Sequence, residues 1–266
     1  MNIFAILAAV LALGGLGALF GGLLTVADKK FYVPVDERIE KVQACLGGAN
    51  CGACGYAGCS ALADAIVAGK AKPNACPPAG AEGAAKIAEI MGLEAEADKP
   101  LVARVICQGA SGIAKDRYIY DGLPSCRAAS TMAGGPKMCT FACLGLGDCV
   151  KVCAFEAISI KDALVRINEN KCTACGMCAE TCPRGVIQLL PRDQSVIVRC
   201  RNSDTGRMAR EACVKACIGC KRCEKECQYD AIHVENGFAR IDPDKCTRCG
   251  ACAKVCPCGC ITMPEA

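Results

Sequence analysis

The 266-residue sequence has no tryptophan, a single histidine and only 4% aromatic residues. A chain so poor in large side chains cannot build an ordinary core, so its modules must be held together by something besides packed rings. An excess of charge is missing too. Thirty-one basic residues against 27 acidic ones leave a formal net charge of +4, which is too mild for a nucleic-acid partner, and no basic run interleaved with aromatics occurs. There is no flavin or nicotinamide fingerprint, no nucleophile paired with a base and no paired-carboxylate site. Gly15, Gly17 and Gly21 imitate a dinucleotide-binding glycine pattern, but no strand precedes them and no acidic residue follows at the required distance. This chain alone is therefore expected to carry out no bond chemistry.

What the sequence has in abundance is cysteine, 27 residues of it. Cross-links through sulfur replace the missing apolar mass, as disulfides, zinc sites or iron-sulfur clusters. The N-terminus helps to choose. Residues Ile3 to Ala27 carry no charge and are followed by Asp28, Lys29 and Lys30. A bilayer span takes roughly 20 apolar residues, so this segment is long enough to be a transmembrane anchor. A cleaved signal peptide is the rival, but no basic residue precedes the run, its apolar core is too long and DKKF is no clear cleavage site. Lys29, Lys30, Arg38 and Lys41 follow the span, which makes the chain a single-pass cell-membrane protein with its soluble part on the cytoplasmic side. That reducing compartment argues against disulfides. Gly17 and Gly21 form a small-xxx-small face for a neighbouring membrane helix, or are incidental in a lone anchor.

The soluble part contains repeats. Residues 139–187 and 213–261 superimpose at an offset of 74 without a gap. Eight cysteines match: Cys139, Cys143, Cys149, Cys153, Cys172, Cys175, Cys178 and Cys182 with Cys213, Cys217, Cys223, Cys227, Cys246, Cys249, Cys252 and Cys256. A shorter repeat lies inside each copy, CAFEAI, CPRGVI, CQYDAI and CPCGCI from Cys153, Cys182, Cys227 and Cys256. Hairpins are expected over Ala157 to Ile167 and Ala231 to Ile241, the second turning at Asn236 and Gly237. Each copy is thus a pair of loop, short helix and strand units folded back on each other. Upstream the texture is alanine-rich and helical: Val35, Ile39, Val42 and Leu46 keep helical spacing, and Ser60 to Gly69 and Ala84 to Met91 read as further helices. Residues 93–100 read as an exposed linker, and Leu101 to Ile106 and Tyr118 to Tyr120 as strands.

The spacing C-x2-C-x2-C-x3-C begins at Cys172, Cys217 and Cys246. Three thiolates two residues apart wrap a loop around one corner of a cubane, and the fourth ligates the other cluster of the pair. Zinc also uses C-x2-C pairs, but a repeated triplet with a distant fourth cysteine and almost no histidine fits a [4Fe-4S] cluster better. Upstream, Cys51, Cys54, Cys59 and Cys76 follow the spacing C-x2-C-x4-C-x16-C, which gathers four thiolates around one centre, with Gly52, Gly55 and Gly58 letting backbone approach the sulfurs.

The repeated part resembles the bacterial two-[4Fe-4S] ferredoxin fold, present twice. That resemblance implies one cluster on Cys217, Cys220, Cys223 and Cys256, its partner on Cys246, Cys249, Cys252 and Cys227, and a third on Cys172, Cys175, Cys178 and Cys153. The companion of the third has Leu146 where the second copy has Cys220. Cys143, Cys149 and Cys182 supply three of its ligands and Cys139 is expected as the fourth, with a three-iron cluster or another fourth ligand left open. Anchor, single-cluster motif and tandem ferredoxin repeats together resemble the B subunit of the Rnf, or Rsx, complex, a membrane-bound ion-translocating ferredoxin:NAD oxidoreductase. Two departures, CPPAG from Cys76 and the extra Cys258 and Cys260 in the tail, remove no ligand.

The resemblance implies an α+β chain with a transmembrane anchor (1–28), a small helical single-cluster domain (33–93) and two ferredoxin-like domains (100–199 and 200–266). It implies five [4Fe-4S] clusters, one-electron relay to or from soluble ferredoxin, and membrane and flavin-carrying partner subunits of the complex. The alternative function is the Rsx role of keeping a redox-sensing transcription factor reduced. Cys45, Cys107, Cys126, Cys200, Cys213, Cys258 and Cys260 remain. They are small buried apolar residues, or Cys107, Cys126, Cys200 and Cys213 hold a sixth cluster. His233 is read as a structural or surface residue. The basic stretch of residues 192–222 is a docking face for an acidic ferredoxin or simply a solvated surface.

Overall fold

The computed structural model describes residues 3–31, 36–94, 99–204 and 206–263. Helix α1, Ile3–Lys30, is uncharged until its last turn. From Val10 onward its large side chains, among them Leu13, Leu16, Leu19 and Leu24, are exposed on every side. A helix apolar all round with nothing packed on it suits lipid rather than water, and Val10–Lys30 is long and apolar enough to cross a membrane. The Thr25 hydroxyl donates back to the Gly21 carbonyl at 2.8 Å, so no hydroxyl is left unpaired in that setting.

Three helices follow, α2 (Glu37–Cys45), α3 (Cys59–Val67) and α4 (Gly80–Met91). Asp36 caps α2 by accepting the Arg38 N–H at 2.9 Å. Gly92, at φ +67°, ends α4 in the left-handed conformation, and the Leu93 N–H closes on the Ala88 carbonyl at 2.8 Å. Val42, Leu62, Ile66 and Ile87 meet in a fully buried core. These are the helices the apolar spacing predicts, with α4 starting four residues early. Of the linker expected at 93–100, residues 95–98 lie outside the described residues.

In the first repeat, strand β1 (Leu101–Val105) leads through helices α5 (Cys126–Thr131) and α6 (Asp148–Lys151) into the hairpin β2 (Ile158–Lys161) and β3 (Leu164–Ile167). Helix α7 (Met177–Thr181) and strand β4 (Ile187–Pro191) complete it, β4 pairing antiparallel with β1 from Leu101↔Pro191 to Val105↔Ile187. The second repeat has β5 (Ile197–Val198), helices α8 (Gly206–Ala212) and α9 (Arg222–Glu226), the hairpin β6 (Ile232–Glu235) and β7 (Phe238–Ile241), helix α10 (Ala251–Lys254) and β8 (Ile261–Thr262). Here β5 pairs with β8. Both expected hairpins are present. Their turns, Asp162–Ala163 and Asn236–Gly237, hold both residues at positive φ, matching the right-handed twist of the flanking strands.

The segment Tyr118 to Tyr120 is not a strand. Pairing stops just before it at the isolated bridge from Asp116 to Lys137, and the Tyr118 and Tyr120 hydroxyls donate to the carbonyls of Met132 (2.6 Å) and Leu123 (3.0 Å), leaving Ile119 95% exposed.

Several arginines of the basic stretch are engaged inside the protein. Arg199 donates to the Val105 carbonyl at 3.1 Å, Arg201 to that of Gly185, and Arg192 to those of Glu169 and Cys172. Gln108 reaches the Gly259 carbonyl at 2.9 Å. The Arg199, Arg201 and Gln108 bonds clamp the two repeats together through backbone acceptors, while those of Arg192 stay within the first repeat.

Candidate metal centres

All four cysteine loops of the repeats share one backbone shape. The middle position is flanked on both sides by left-handed residues: Ala174 (+57°) and Gly176 (+86°) around Cys175, Gly219 (+66°) and Lys221 (+59°) around Cys220, and Arg248 (+63°) and Gly250 (+75°) around Cys249. Gly145 (+70°) and Gly147 (+88°) flank Leu146 in the same way. This alternation turns successive N–H groups inward, a nest suited to negative charge. At Ala174, Lys221 and Arg248 a conformation that suits glycine costs about 1 kcal/mol each, so something in the loop over-determines it. A second feature recurs three residues beyond each distant cysteine, where Glu156, Gly185, Asp230 and Gly259 are again left-handed. This folds the Ala157 N–H back onto Cys153 Sγ and the Ala231 N–H onto Cys227 Sγ, each at 3.4 Å.

The loops border four hollows. Cys153, Cys172, Cys175 and Cys178 line one, and Cys227, Cys246, Cys249 and Cys252 another. Cys217, Cys220, Cys223 and Cys256 line a third, with Cys258 and Cys260 beside them. These three sets are the ones expected from sequence. The fourth hollow is lined by Cys143, Cys149, Cys182 and Cys126, whereas Cys139 lies elsewhere. Cys126 is brought there by Asp148, the first residue of α6, whose carboxylate accepts the Ser125 hydroxyl at 2.9 Å and the Arg127 N–H at 3.0 Å. The signal for it was available in the sequence, because the repeat offset that matches Cys139 with Cys213 also matches Cys126 with Cys200.

In the helical domain, Cys76 is buried and Cys54 and Cys59 pack on the same apolar core. Cys59 opens α3, its N–H held by the Asn50 side chain at 2.8 Å, and Cys51 is half-buried. Among the described residues, no group of three or more Cys, His, Asp or Glu stands close enough to hold a single metal ion. Cysteines spaced this far apart around a hollow suit a cluster rather than one zinc ion, whose ligands lie only about 2.3 Å from it.

Burial pushes the Cys149, Cys178 and Cys223 thiols up to about 12 and Cys252 to about 11. They stay protonated until a metal displaces the proton, so cluster insertion here releases protons. Cys256 and Cys217 go the other way, to about 5 and about 6, because the Cys260 thiol hydrogen-bonds to both. Cys260, 1% exposed and with its sulfur 3.4 Å from that of Cys256, is correspondingly held protonated. A cluster on Cys217 and Cys256 would thus receive an S–H donor, which favours its more negative, reduced form. Cys260→Ala is expected to lower the potential of one cluster by about 40 mV, equivalent to about 1 kcal/mol for one electron. A redox titration followed by EPR reads this directly, and an unchanged set of potentials would remove Cys260 from the tuning role.

Comparison with known proteins agrees with the geometry. Residues 46–78 match a family of Fe-S cluster domains, residues 165–188 a 4Fe-4S binding domain and residues 216–260 a 4Fe-4S dicluster domain. The chain is 49% identical, over 97% of its length and 78% of the relative's, to the B subunit of the Na(+)-translocating ferredoxin:NAD(+) oxidoreductase complex of Acetobacterium woodii. It belongs to the B-subunit family of ion-translocating oxidoreductase complexes. Other members of the family are similarly close. The B subunit of the Methanosarcina acetivorans ion-translocating oxidoreductase complex is 41% identical, over 93% of this chain and 94% of its own. That of the proton-translocating ferredoxin:NAD(+) oxidoreductase complex of Clostridium ljungdahlii is 37% identical, over 92% and 88%. As a member of this family the chain is an electron-transfer protein that carries [4Fe-4S] clusters, works beside other subunits of a translocating complex and associates with a membrane.

Proposed function

We propose that this protein holds five [4Fe-4S] clusters in a row and relays electrons between soluble ferredoxin and the membrane-bound and flavin-carrying subunits of a ferredoxin:NAD oxidoreductase. The ligands are Cys51, Cys54, Cys59 and Cys76 in the helical domain. In the first ferredoxin-like domain they are Cys153, Cys172, Cys175 and Cys178, and Cys126, Cys143, Cys149 and Cys182. In the second they are Cys217, Cys220, Cys223 and Cys256, and Cys227, Cys246, Cys249 and Cys252. Anchor, helical domain and the two ferredoxin-like domains are four successive units, with helix α1 crossing the membrane once and the rest on the cytoplasmic side.

The observation that carries this reading is the set of four hollows, each lined by at least four cysteines on inward-turned backbone. When bound, the clusters supply one-electron transfer. The chain's own part is to fix and insulate them. Thiolates from distant loops set their positions, N–H groups such as that of Ala103, 3.4 Å from Cys172 Sγ, offset their charge, and buried aliphatics such as Val165, Val186, Val196 and Ile232 exclude water. Neighbouring sites lie close enough to feel each other's charge, as Cys51 does with Cys175 and Cys178 with Cys149, which orders the helical domain before the first ferredoxin-like domain.

The test is the full chain purified anaerobically in detergent. It should be brown, contain at least about 20 irons with matching sulfide at four per cubane, and be reduced by reduced ferredoxin. Fewer than about 16 irons, or zinc in their place, would refute the five-cluster reading.

A further inference from the structure

Five clusters leave seven of the 27 cysteines unassigned, and the fold brings four of them, Cys107, Cys139, Cys200 and Cys213, together. Residues 113–116 act as a splint. Ala114 bridges to Cys213 and Asp116 to Lys137, the Met138 N–H reaches the Lys115 carbonyl at 2.8 Å, and the Val214 N–H the Ile113 carbonyl at 3.3 Å. Cys107 enters from the start of the same segment: its sulfur and the Ala114 methyl lie 3.3 and 3.0 Å from where a Cβ on Gly109 would stand. Cys139 packs in one apolar cluster with Cys107, and Cys200 in another with Cys213.

We propose that Cys107, Cys139, Cys200 and Cys213 hold a sixth [4Fe-4S] cluster at the junction of the two ferredoxin-like domains. The inference rests on the cluster-relay reading above.

Four observations carry it. Each sulfur accepts the N–H two residues further on, from Gly109, Phe141, Asn202 and Lys215 respectively. That is the turn Cys175, Cys217 and Cys256 make with Met177, Gly219 and Cys258 in the motif sites. Backbone donors converging on sulfur are what a thiolate ligand requires and what a neutral buried thiol uses poorly. Next, the surroundings are small: Ala110, Ala114, Ala142, Ala209, Ala212 and Ala216 are all 6% exposed or less, so short side chains stand where a packed core would carry larger aliphatics.

The third observation is charge and polarity without another purpose. Lys137 is 4% exposed, and among the described residues no carboxylate pairs with it. Its ammonium donates to the Gly109 and Ala163 carbonyls and acts electrostatically on Cys213 and Cys143. A buried cation needs a compensating anion, and a thiolate-bound cluster provides one. Asn202, two residues from Cys200 and 1% exposed, keeps Nδ2 without a partner, a donor for which sulfide is a fitting acceptor.

The fourth is location. The Cys143 N–H donates to Cys107 Sγ at 3.5 Å and the Cys217 N–H to Cys200 Sγ at 3.2 Å. Cys143 belongs to the first domain's set and Cys217 to the second's, so this site joins two sites otherwise on separate domains. The repeat explains why it exists once. In the first copy the missing cysteine at Leu146 draws Cys126 into the motif hollow. In the second, Cys220 fills that place and leaves Cys200, the counterpart of Cys126, free to face the junction.

The experiment is iron, sulfide and zinc analysis with EPR redox titration of the anaerobic full-length protein and of its Cys107→Ala/Cys213→Ala variant. About 24 irons in the wild type and about 20 in the variant, with one reduced-cluster signal lost and the others kept, are expected at four irons per cubane. About 20 irons in both would overturn the sixth site and leave the five-cluster reading standing, as would about 20 irons plus one zinc in the wild type. A wild-type count below about 16 would refute the five-cluster reading and this inference with it. Should the double variant fail to accumulate, the wild-type count still decides. Cys200→Ser then serves as the second variant, expected to change the EPR signature of one cluster, and an unchanged spectrum counts against the site.

Discussion

Cys126→Ala is expected to remove about one iron per chain and to convert one cubane into a three-iron cluster, visible as a new EPR signal in the oxidised protein. The reason is the hollow shared by Cys126, Cys143, Cys149 and Cys182. Three of these cysteines keep motif spacing; the fourth arrives from helix α5, held by the Ser125 and Arg127 bonds to Asp148. The sharper half of the prediction is the rescue. Leu146 sits between Gly145 and Gly147, both left-handed, in the backbone shape that presents Cys220 in the second copy. Adding Leu146→Cys to Cys126→Ala is therefore expected to restore the four-iron spectrum, because the loop already has the conformation and needs only the sulfur. Cys139→Ala is expected to leave this cluster untouched. If instead Cys139→Ala produces the three-iron signal and Cys126→Ala does not, the assignment of α5 to this site is wrong.

Removing the iron is expected to unfold both ferredoxin-like domains, not merely to bleach them. A unit of about 60 residues is marginal even with a full apolar core, and the buried residues of the second repeat, from β5 to β8, are a handful of medium-sized aliphatics, Val196, Val198, Ile232 and Ile261, with Phe238 and a set of cysteines. Without metal those cysteines are buried thiols lining hollows rather than cross-links, and the strained backbone at Ala174, Lys221 and Arg248 loses what holds it. Metal binding energies of about 10 kcal/mol or more at structural thiolate sites exceed the lower end of the roughly 5–15 kcal/mol net stability of a typical domain. Oxidative iron removal followed by chelation should abolish the β-hairpin signal in circular dichroism and open residues 100–263 to protease. The helical domain around Val42, Leu62 and Ile87 has a better apolar core and should retain more structure. A colourless protein with native circular dichroism and protease resistance would show that packing alone suffices. Acid should act in the same direction. The ligand thiols pushed up to about 11 or 12 bind protons far more readily than an ordinary cysteine, so falling pH favours the protonated, metal-free side.

Much of this was legible in the sequence because the signals are local. A thiolate triplet two residues apart fixes a loop, the offset of 74 fixes a second copy of it, Asn236–Gly237 fixes a turn, and an uncharged run up to Ala27 fixes a helix long and apolar enough to cross a membrane. Three of the four motif sets in the repeats meet as the resemblance to two-cluster ferredoxins implies. Where the pattern was interrupted, at Leu146, the sequence pointed to Cys139, whereas Cys126 is the cysteine that lines the hollow. That choice depends on Asp148 receiving the start of α5, a contact across 21 residues and more. Tyr118 to Tyr120 likewise reads as a strand by residue type, but pairing stops just before it at the bridge from Asp116 to Lys137.

The residue kinds, their spacing and their repetition determined by themselves that the chain carries iron-sulfur clusters, and the resemblance those motifs bear pointed to the B-subunit family. Only the tertiary structure decided which distant cysteines converge, because ligand geometry within a loop is set by a few backbone dihedrals, while a site assembled from residues 107, 139, 200 and 213 exists only once the splint at 113–116 has paired both repeats.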